Sequence, residues 1–178
     1  QRGPISETCV HKCAIIGVGQ NRSRGLAAGY QHVKKGELAA VSARTTDRLD
    51  TFAAEYGITS KYTDYRDMLE KEKPDLLHIN TPPTVRLEIF EAAEAAGVPA
   101  IIVEKPLAVE GEDYRQIEAF SQSCNVKIAI NHQLHFQPRR FELQERVANG
   151  EIGDVKLVEA SCGMNLAYQG THALQAIG

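Results

Sequence analysis

Residues 14–30 read AIIGVGQNRSRGLAAGY, an apolar run followed by a glycine turn and a segment rich in helix formers. Apolar β-branched residues favour a buried strand, and the alanines that follow favour a helix. Gly17 and Gly19 allow a tight turn and a close approach of the backbone to a bound group. The stretch therefore predicts the strand, turn and helix that begin a dinucleotide-binding sheet, where a diphosphate rests on the helix N-terminus.

Strand-like and helix-like segments alternate along the rest of the chain. The apolar runs are CAIIGV, ELAAVSA, DLLHIN, PAIIVE and VKIAIN, and helices are predicted after them over residues 21–34, 46–56, 84–96, 110–123 and 138–149. A short strand at Lys61 and Tyr62 and a helix over residues 65–71 are predicted between the second and third runs. This alternation is typical of βαβ units and predicts an α/β fold, a Rossmann doubly wound parallel sheet.

The domain organisation follows from where this pattern stops. We predict an N-terminal extension over residues 1–11, a dinucleotide-binding domain over 12–131 and the beginning of a second domain over 132–178. Residues 155–160 alternate like a strand with one wet face, unlike the continuous apolar runs before them. They predict the start of a second, truncated α/β domain with an open sheet.

Composition narrows the class of protein further. The chain has 178 residues, 43% of them hydrophobic, and a net charge of -3 with no basic run, so we expect no nucleic-acid partner. No apolar stretch is long enough to cross a membrane, so we expect no membrane partner. Four irregularly spaced cysteines fit neither a disulfide scaffold nor a zinc site. We expect a cytoplasmic protein without a bound metal.

Two positions in the first sheet half depart from the usual NAD-binding pattern. The third glycine of the GxGxxG pattern is replaced by Arg22, so the turn also fits a glycine turn that binds nothing, or one that binds S-adenosylmethionine. At the end of the second strand, Ala43 stands where an acidic residue would hold the ribose hydroxyls, and Arg44 follows it. A guanidinium can grip a 2′-phosphate, which favours NADP, although Arg44 also fits an ordinary surface arginine.

Four pieces of the chain, GVGQNR, NTPPTVRLEIFEAAEAAGVPAIIVEKPLA, HFQP and NGEIGDV, together resemble the glucose–fructose oxidoreductase, inositol dehydrogenase and rhizopine catabolism family. The resemblance runs from about Lys12 to the last residues. It implies NAD(P)-dependent hydride transfer to or from a sugar, cyclitol or related polyol, with NADP as cofactor and NAD as the alternative. It also implies a small carbohydrate-like substrate, a longer polypeptide and a homo-oligomer of the full-length protein.

The resemblance assigns roles to particular residues. Lys105 would reach the nicotinamide ribose and the substrate hydroxyl, and His172 would bind substrate or carry a proton. Tyr168 and Gln175 stand where the family has acidic residues, and the Tyr168 phenol can itself act as an acid. The cofactor contacts that it implies are Gly17, Gly19, Gln20, Asn21, Arg22, Thr81, Pro82, Pro83, Glu104, Lys105 and Pro106.

Position in the predicted sheet points to further candidates. His132 and His135 follow the last strand, beyond whose carboxyl end ligands of open sheets bind, so cofactor contact is expected for His132 and substrate contact for His135. His78 lies inside a strand and is expected to be packed rather than to bind a ligand. Lys105 is aimed from a strand end by Pro106, although a surface lysine paired with Glu104 is the alternative.

Three functions remain open from the sequence. The first is a dehydrogenase or reductase in which Lys105 serves as the acid–base group. The second is a non-catalytic dinucleotide-binding sensor or scaffold, which the replaced acidic positions favour. The third is an NAD-dependent glycosidase of the same family, in which transient oxidation of the sugar permits elimination. Retention of Lys105 and His172 favours the first function over the second.

Overall fold

The computed structural model describes residues 10–19, 21–161, 163 and 170–177. Contacts divide the chain into two units, the first ending at Ala129 and the second beginning at Ile130. The strands are β1 (His11–Ile16), β2 (Gly36–Ser42), β3 (Ser60–Tyr62), β4 (Leu76–Ile79), β5 (Ala100–Glu104) and β6 (Lys127–Asn131). The helices are α1 (Arg22–Gly29), α2 (Thr46–Tyr56), α3 (Tyr65–Glu72), α4 (Arg86–Ala95), α5 (Gly111–Ser123), α6 (Pro138–Ala148) and α7 (Thr171–Ile177).

The six strands form one sheet in the order β3-β2-β1-β4-β5-β6. Strand β1 pairs in parallel with both β2 and β4, and the pairs β2–β3 and β4–β5 are parallel as well. The chain therefore turns in opposite directions from β1, which makes the β1–β4 boundary the topological switch point of the sheet. The predicted doubly wound parallel sheet is confirmed.

Helices cover the sheet on both faces because successive strand residues point to opposite sides. Ala14 and Ile16 of β1 pack in a core with α3, α4 and α5, whereas Ile15 between them packs in a core with α1 and α2. Each strand of the sheet centre is thus apolar on both faces, as a parallel sheet requires. Phe90 of α4 and Phe52 of α2 are the largest aromatic side chains in these two cores.

Two helices end at glycines, and one helix is shorter than predicted. Gly57 and Gly97 adopt positive φ angles of 68° and 78° just after α2 and α4. The helix predicted over residues 21–34 ends at Gly29 as α1 and continues as a 3-10 turn, Tyr30–His32. Glycine has a low helix propensity, and the Tyr30 hydroxyl is held by His78 at 2.7 Å, which fixes the chain in this tighter turn.

His78 is a packed strand histidine, as the sequence predicts. It lies 6% exposed in β4, and burial lowers its pKa to about 4, so the ring is neutral at pH 7. Its Nε2 shares a hydrogen bond with the Tyr30 hydroxyl, and the Tyr30 ring meets the imidazole edge-on. Burial also raises the pKa of the neighbouring Cys13 thiol, so neither group is prepared for nucleophilic chemistry.

The second unit differs from the sequence prediction at one place. Residues 155–160 form no strand, and each of them is exposed. Leu157 and Val158, which would lie on opposite faces of a strand, are 78% and 55% exposed. A lone strand leaves its backbone groups unpaired and cannot bury its own apolar face, and the described residues offer no strand beside it. After β6 the described residues of this unit contain the helices α6 and α7, and residues 151–161 between them form neither helix nor strand.

Candidate active site

The turn after β1 accepts only glycine at position 17. Gly17 has a φ of +93°, and a Cβ there would meet the backbone C and O of Asn80 at 3.1 Å. Its N–H donates to Ser42 O at 2.9 Å, and Asn80 N–H donates to Ile16 O at 2.8 Å. Backbone hydrogen bonds therefore join the carboxyl ends of β1, β2 and β4 at one edge of the sheet. Gly17 lies where the turn after β1 approaches the backbone of Asn80.

The N-terminus of α1 is prepared for an anion. Asn21 at the N-cap makes no side-chain capping bond, and no acidic residue lies in the first turn. The first backbone N–H groups of the helix therefore keep donors for a diphosphate. Gly19 is exposed, with open space where a side chain would lie, and the buried Ser23 hydroxyl donates to its carbonyl at 2.9 Å. Gln20 lies outside the described residues.

Arg22, at the position of the third glycine, forms an ion pair with Glu104. The pair joins the N-terminus of α1 to the end of β5, on the far side of β4 in the sheet order. It brings together two residues that are 82 positions apart in the sequence. A bulky arginine is accommodated here because its side chain runs out along the strand ends rather than between helix and sheet.

The EKP turn places Lys105 in a buried position. Glu104 and Lys105 are 6% and 5% exposed, and the Lys105–Pro106 peptide bond is cis. The pKa of Lys105 is lowered chiefly by burial and further by the Arg22 cation, while Glu104 opposes the shift. A lysine with a lowered pKa at the carboxyl end of a sheet strand is suited to proton transfer. The interpretation of Lys105 as a surface lysine is wrong.

Arg86 is a site residue that the sequence analysis missed. It begins α4 only 2% exposed, and it donates to Pro106 O from Nη1 and to Thr81 O, at 3.0 Å, from Nη2. The loop after β4 and the loop after β5 are thereby joined through one side chain. The signal was present in the sequence, because Arg86 starts the stripe of buried α4 residues Arg86, Ile89, Phe90 and Ala93, at the spacing of a core-facing helix.

The loop after β4 carries polar groups that find no partner among the described residues. Both amide atoms of Asn80 and the Thr81 hydroxyl are buried without a hydrogen bond. Buried polar atoms are normally paired, so such a cluster marks a place where a bound group completes the hydrogen bonding. Pro82 and Pro83 follow directly and lead through a 3-10 turn into α4.

A cleft of about 440 Å³ lies on the other side of the glycine turn. It opens between α1 and the start of α2, beside the end of β2, where Arg44 is exposed. This is the side of a Rossmann sheet on which an adenosine ribose would lie. The cleft is lined by Val18, Gly19, Arg24, Asp47, Arg48 and Thr51.

The second unit brings two of its predicted histidines together. The rings of His132 and His172 meet edge-to-face with centroids 5.5 Å apart, and His172 is 9% exposed. His135 packs instead against Phe136 and Phe141, at centroid distances of 5.0 and 6.1 Å. Tyr168 and the side chain of Gln175 lie outside the described residues.

The described residues contain neither a metal-binding cluster nor a membrane-spanning helix. Among residues 10–19, 21–161, 163 and 170–177, no cluster of three or more His, Cys, Asp or Glu side chains is arranged to hold a metal ion. None of the helices in that part of the chain combines the length and the apolar character that a membrane span needs.

The sheet order, the glycine turn at its switch point and the uncapped N-terminus of α1 define a dinucleotide-binding Rossmann domain. Residues 11–132 match a family described as the oxidoreductase family GFO_IDH_MocA with an NAD-binding Rossmann fold. The chain belongs to this family, which confirms the resemblance carried by the TPP and EKP segments.

Several relatives with curated names are dehydrogenases. Trans-1,2-dihydrobenzene-1,2-diol dehydrogenase of Mus musculus is 26% identical over 132 residues, which cover 74% of this chain and 39% of that protein. D-glucoside 3-dehydrogenase of Escherichia coli K12 is 28% identical over 149 residues, which cover 84% of this chain and 42% of that protein. The chain spans about two fifths of the length of these relatives.

Solved structures share the fold. Scyllo-inositol dehydrogenase of Lactobacillus casei, with bound NAD(H) and scyllo-inositol, has a TM-score of 0.72 at 24% identity, over 82% of this chain and 43% of that chain. An oxidoreductase of Agrobacterium radiobacter, in complex with NAD+, L-tartaric acid and magnesium, has a TM-score of 0.81 at 20% identity, over 93% of this chain and 53% of that chain. At these identities the likeness establishes the Rossmann fold.

Proposed function

We propose that this chain is the cofactor-binding part of an NADP-dependent oxidoreductase that transfers a hydride between nicotinamide and a carbinol carbon of a sugar, cyclitol or related polyol. The observation that carries the proposal is the buried Lys105 at the end of β5, beside the switch point of a Rossmann sheet. A sensor or scaffold needs a cofactor site, but it has no use for a buried lysine whose pKa is lowered.

The residues present fit a dinucleotide. The uncapped first turn of α1 offers N–H donors to a diphosphate, and Gly19 leaves open space for its approach. Arg22, which is 45% exposed in its side chain, stands at the same helix end and adds a cation. The buried amide of Asn80 and hydroxyl of Thr81 supply polar atoms beside the β1–β4 switch point. These residues would hold the diphosphate and the nicotinamide ribose.

Lys105 would act as the acid–base group. Bound NADP+ would supply an acceptor for the hydride that leaves the carbinol carbon. The hydroxyl proton of that carbinol would pass to the neutral Nζ of Lys105, so that a ketone and an ammonium group result. In the reverse direction the ammonium of Lys105 would return the proton to the oxygen of the ketone. Burial lowers the pKa of Lys105, so the ammonium releases its proton more readily than that of an exposed lysine.

NADP is the proposed cofactor because of the end of β2. Ala43 carries no carboxylate that would repel a 2′-phosphate, and Arg44 is exposed directly after it. The neighbouring cleft is also lined by Arg24 and Arg48. Asp47 lines the same cleft and Arg24 pairs with Glu55, so the proposal rests chiefly on Arg44 and Arg48 as partners of a 2′-phosphate.

The substrate is proposed to be small and carbohydrate-like. Relatives named for a glucoside and for a dihydrodiol share the family, and both names describe compounds with vicinal carbon–oxygen groups. We assign the substrate side to the second unit, with His172 and His135 as hydrogen-bonding groups. His132 is assigned to the cofactor, and Tyr168 is retained as a candidate acid.

The test is a substrate screen on the full-length protein with NADP+ and a panel of aldoses, cyclitols and alkyl glucosides. Absorbance at 340 nm reports hydride transfer, and mass spectrometry of a product from a carbinol-deuterated substrate reports loss of one deuterium to the cofactor. Retention of the glycosidic bond in the product separates a dehydrogenase from a glycosidase. Binding of NADPH without turnover on any member of the panel would favour the sensor instead.

A further inference from the structure

We infer that Arg86 is the positioning residue for Lys105: it ties the loop after β4 to the loop after β5 and so holds the lysine in its buried place. The inference rests on the proposed function, in which Lys105 carries the proton. Nothing in the family match assigns a role to Arg86, and its side chain need not touch substrate or cofactor to exert one.

The geometry of the guanidinium supports this role. Nη1 donates to the carbonyl of Pro106, the residue bonded to Lys105, and Nη2 donates to the carbonyl of Thr81 at 3.0 Å. One planar group thus joins two backbone positions that are 25 residues apart and belong to the two loops proposed to face the nicotinamide. A lysine could reach one of these carbonyls with its ammonium, but it lacks the rigid fork that binds both.

Burial of the Arg86 guanidinium costs free energy of folding, because the charge is removed from water. Arg86 is 2% exposed, and its Nε has no hydrogen-bond partner among the described residues. Burial lowers the pKa of the guanidinium to about 10, and Arg22 contributes to that shift, while Glu104 opposes it. A buried charge with one unsatisfied N–H destabilises a core relative to an apolar side chain of similar volume. The hydrogen bonds that offset this cost are those to the two loops that Arg86 joins.

Two charges act on Lys105, those of Arg22 from α1 and of Glu104 from β5. The same two charges act on Arg86 of α4. Glu104 therefore interacts with three cations, Lys105, Arg22 and Arg86. Among the three, the lysine ammonium loses a proton most readily, since a guanidinium stays charged in proteins. Holding Lys105 within this group keeps it ready to release its proton, and a loop that moves outward would return it to water.

The experiment compares three variants of the full-length protein in the absence of cofactor. Arg86→Met removes both hydrogen bonds and the charge, and Arg86→Lys keeps the charge without the fork. Arg66→Met is the matched control. Arg66 lies on α3, and its guanidinium pairs with Glu88 on the exposed face of α4, the helix that Arg86 begins. Trace acetylation with isotopic acetic anhydride from pH 6 to 11, read by mass spectrometry of the Lys105 peptide, gives the reactivity and the titration midpoint of this one amine.

We expect Lys105 of the unaltered chain to react slowly and to titrate below the usual range of a lysine. In Arg86→Met its reaction rate should rise at least about fivefold and its midpoint should move up towards that range, because the amine regains water. In Arg86→Lys the reaction rate and the titration midpoint of Lys105 should lie between those of Arg86→Met and those of the unaltered protein. In Arg66→Met both should match the unaltered protein. If Arg86→Met does not fold, the inference is tested by the shift in the Lys105 titration midpoint of Arg86→Lys.

The inference is overturned if Arg86→Met or Arg86→Lys lowers the denaturation midpoint while Lys105 keeps its rate and its titration midpoint. Arg86 would then be a structural brace only. This readout requires no cofactor and no substrate, so it is separate from the proposed function. If the full-length protein binds no dinucleotide, the proposed function fails, whereas the labelling result still reports whether Arg86 positions Lys105.

Discussion

Replacing Gly17 by alanine should damage both the stability of the domain and its cofactor site. The added Cβ would meet Asn80 C and O at 3.1 Å and Thr81 N at 3.3 Å, all backbone atoms of the neighbouring strand end. The positive φ of +93° costs an alanine about 1–2 kcal/mol. Forcing the two chain segments apart adds about 1–3 kcal/mol, as overpacking does elsewhere. We therefore expect a loss of about 2–5 kcal/mol in unfolding free energy.

Urea denaturation followed by circular dichroism measures this loss, and quenching or enhancement of NADPH fluorescence measures cofactor affinity. The matched control is Gly25→Ala, since Gly25 lies in α1 with open space around its Cβ and should gain about 0.5–1 kcal/mol of stability. Unaltered stability and unaltered NADPH affinity in Gly17→Ala would refute the argument that this turn requires glycine.

Three further predictions concern the cofactor, acid stability and association. Arg44→Ala should weaken NADPH binding by about tenfold to a hundredfold and leave NADH binding unchanged, as measured by fluorescence titration at fixed salt with Arg115→Ala as control. The pKa of His78 is lowered from 6.5 to about 4, so the unfolded chain takes up this proton first as pH falls, and stability should decrease by up to about 3 kcal/mol across that window. His78→Phe should remove this part of the slope in urea midpoints, whereas the exposed His32→Leu should not. The isolated chain should self-associate, because the second unit exposes large apolar side chains, including Phe136, Phe141, Leu143, Ile152, Leu157, Val158 and Leu174. Light scattering measures this, and a monodisperse monomer would contradict the prediction.

The sheet was predictable because its signals are local. Apolar runs of β-branched residues such as Ile101 mark strands that are buried on both faces, and Gly57 and Gly97 mark helix ends through their positive φ angles. The packed state of His78 was predictable for a similar reason, since it lies within such a run. The place of Lys105 directly after β5 was predictable because a charged pair follows the apolar run, whereas its role in catalysis stays a prediction.

The contacts that complete the site are not local. The Arg22–Glu104 pair forms because β1 and β5 lie on opposite sides of β4 in the sheet. A single sequence does not predict this strand order. Arg86 was missed, and its hydrogen bonds to two loop carbonyls show why it is buried. The strand expected over residues 155–160 was wrong because alternation alone supplies no partner strand.

The central claim is that Lys105 carries the proton in an NADP-dependent hydride transfer. It is tested most directly by steady-state kinetics of Lys105→Met in the full-length protein on its own substrate, with Lys127→Met, an exposed lysine of β6, as control. We predict a kcat lower by about 10²-fold to 10⁴-fold with little change in NADPH affinity, the usual effect of removing a positioned acid–base group. A Lys105→Met enzyme with near-normal kcat would contradict the account and leave the EKP turn a structural feature.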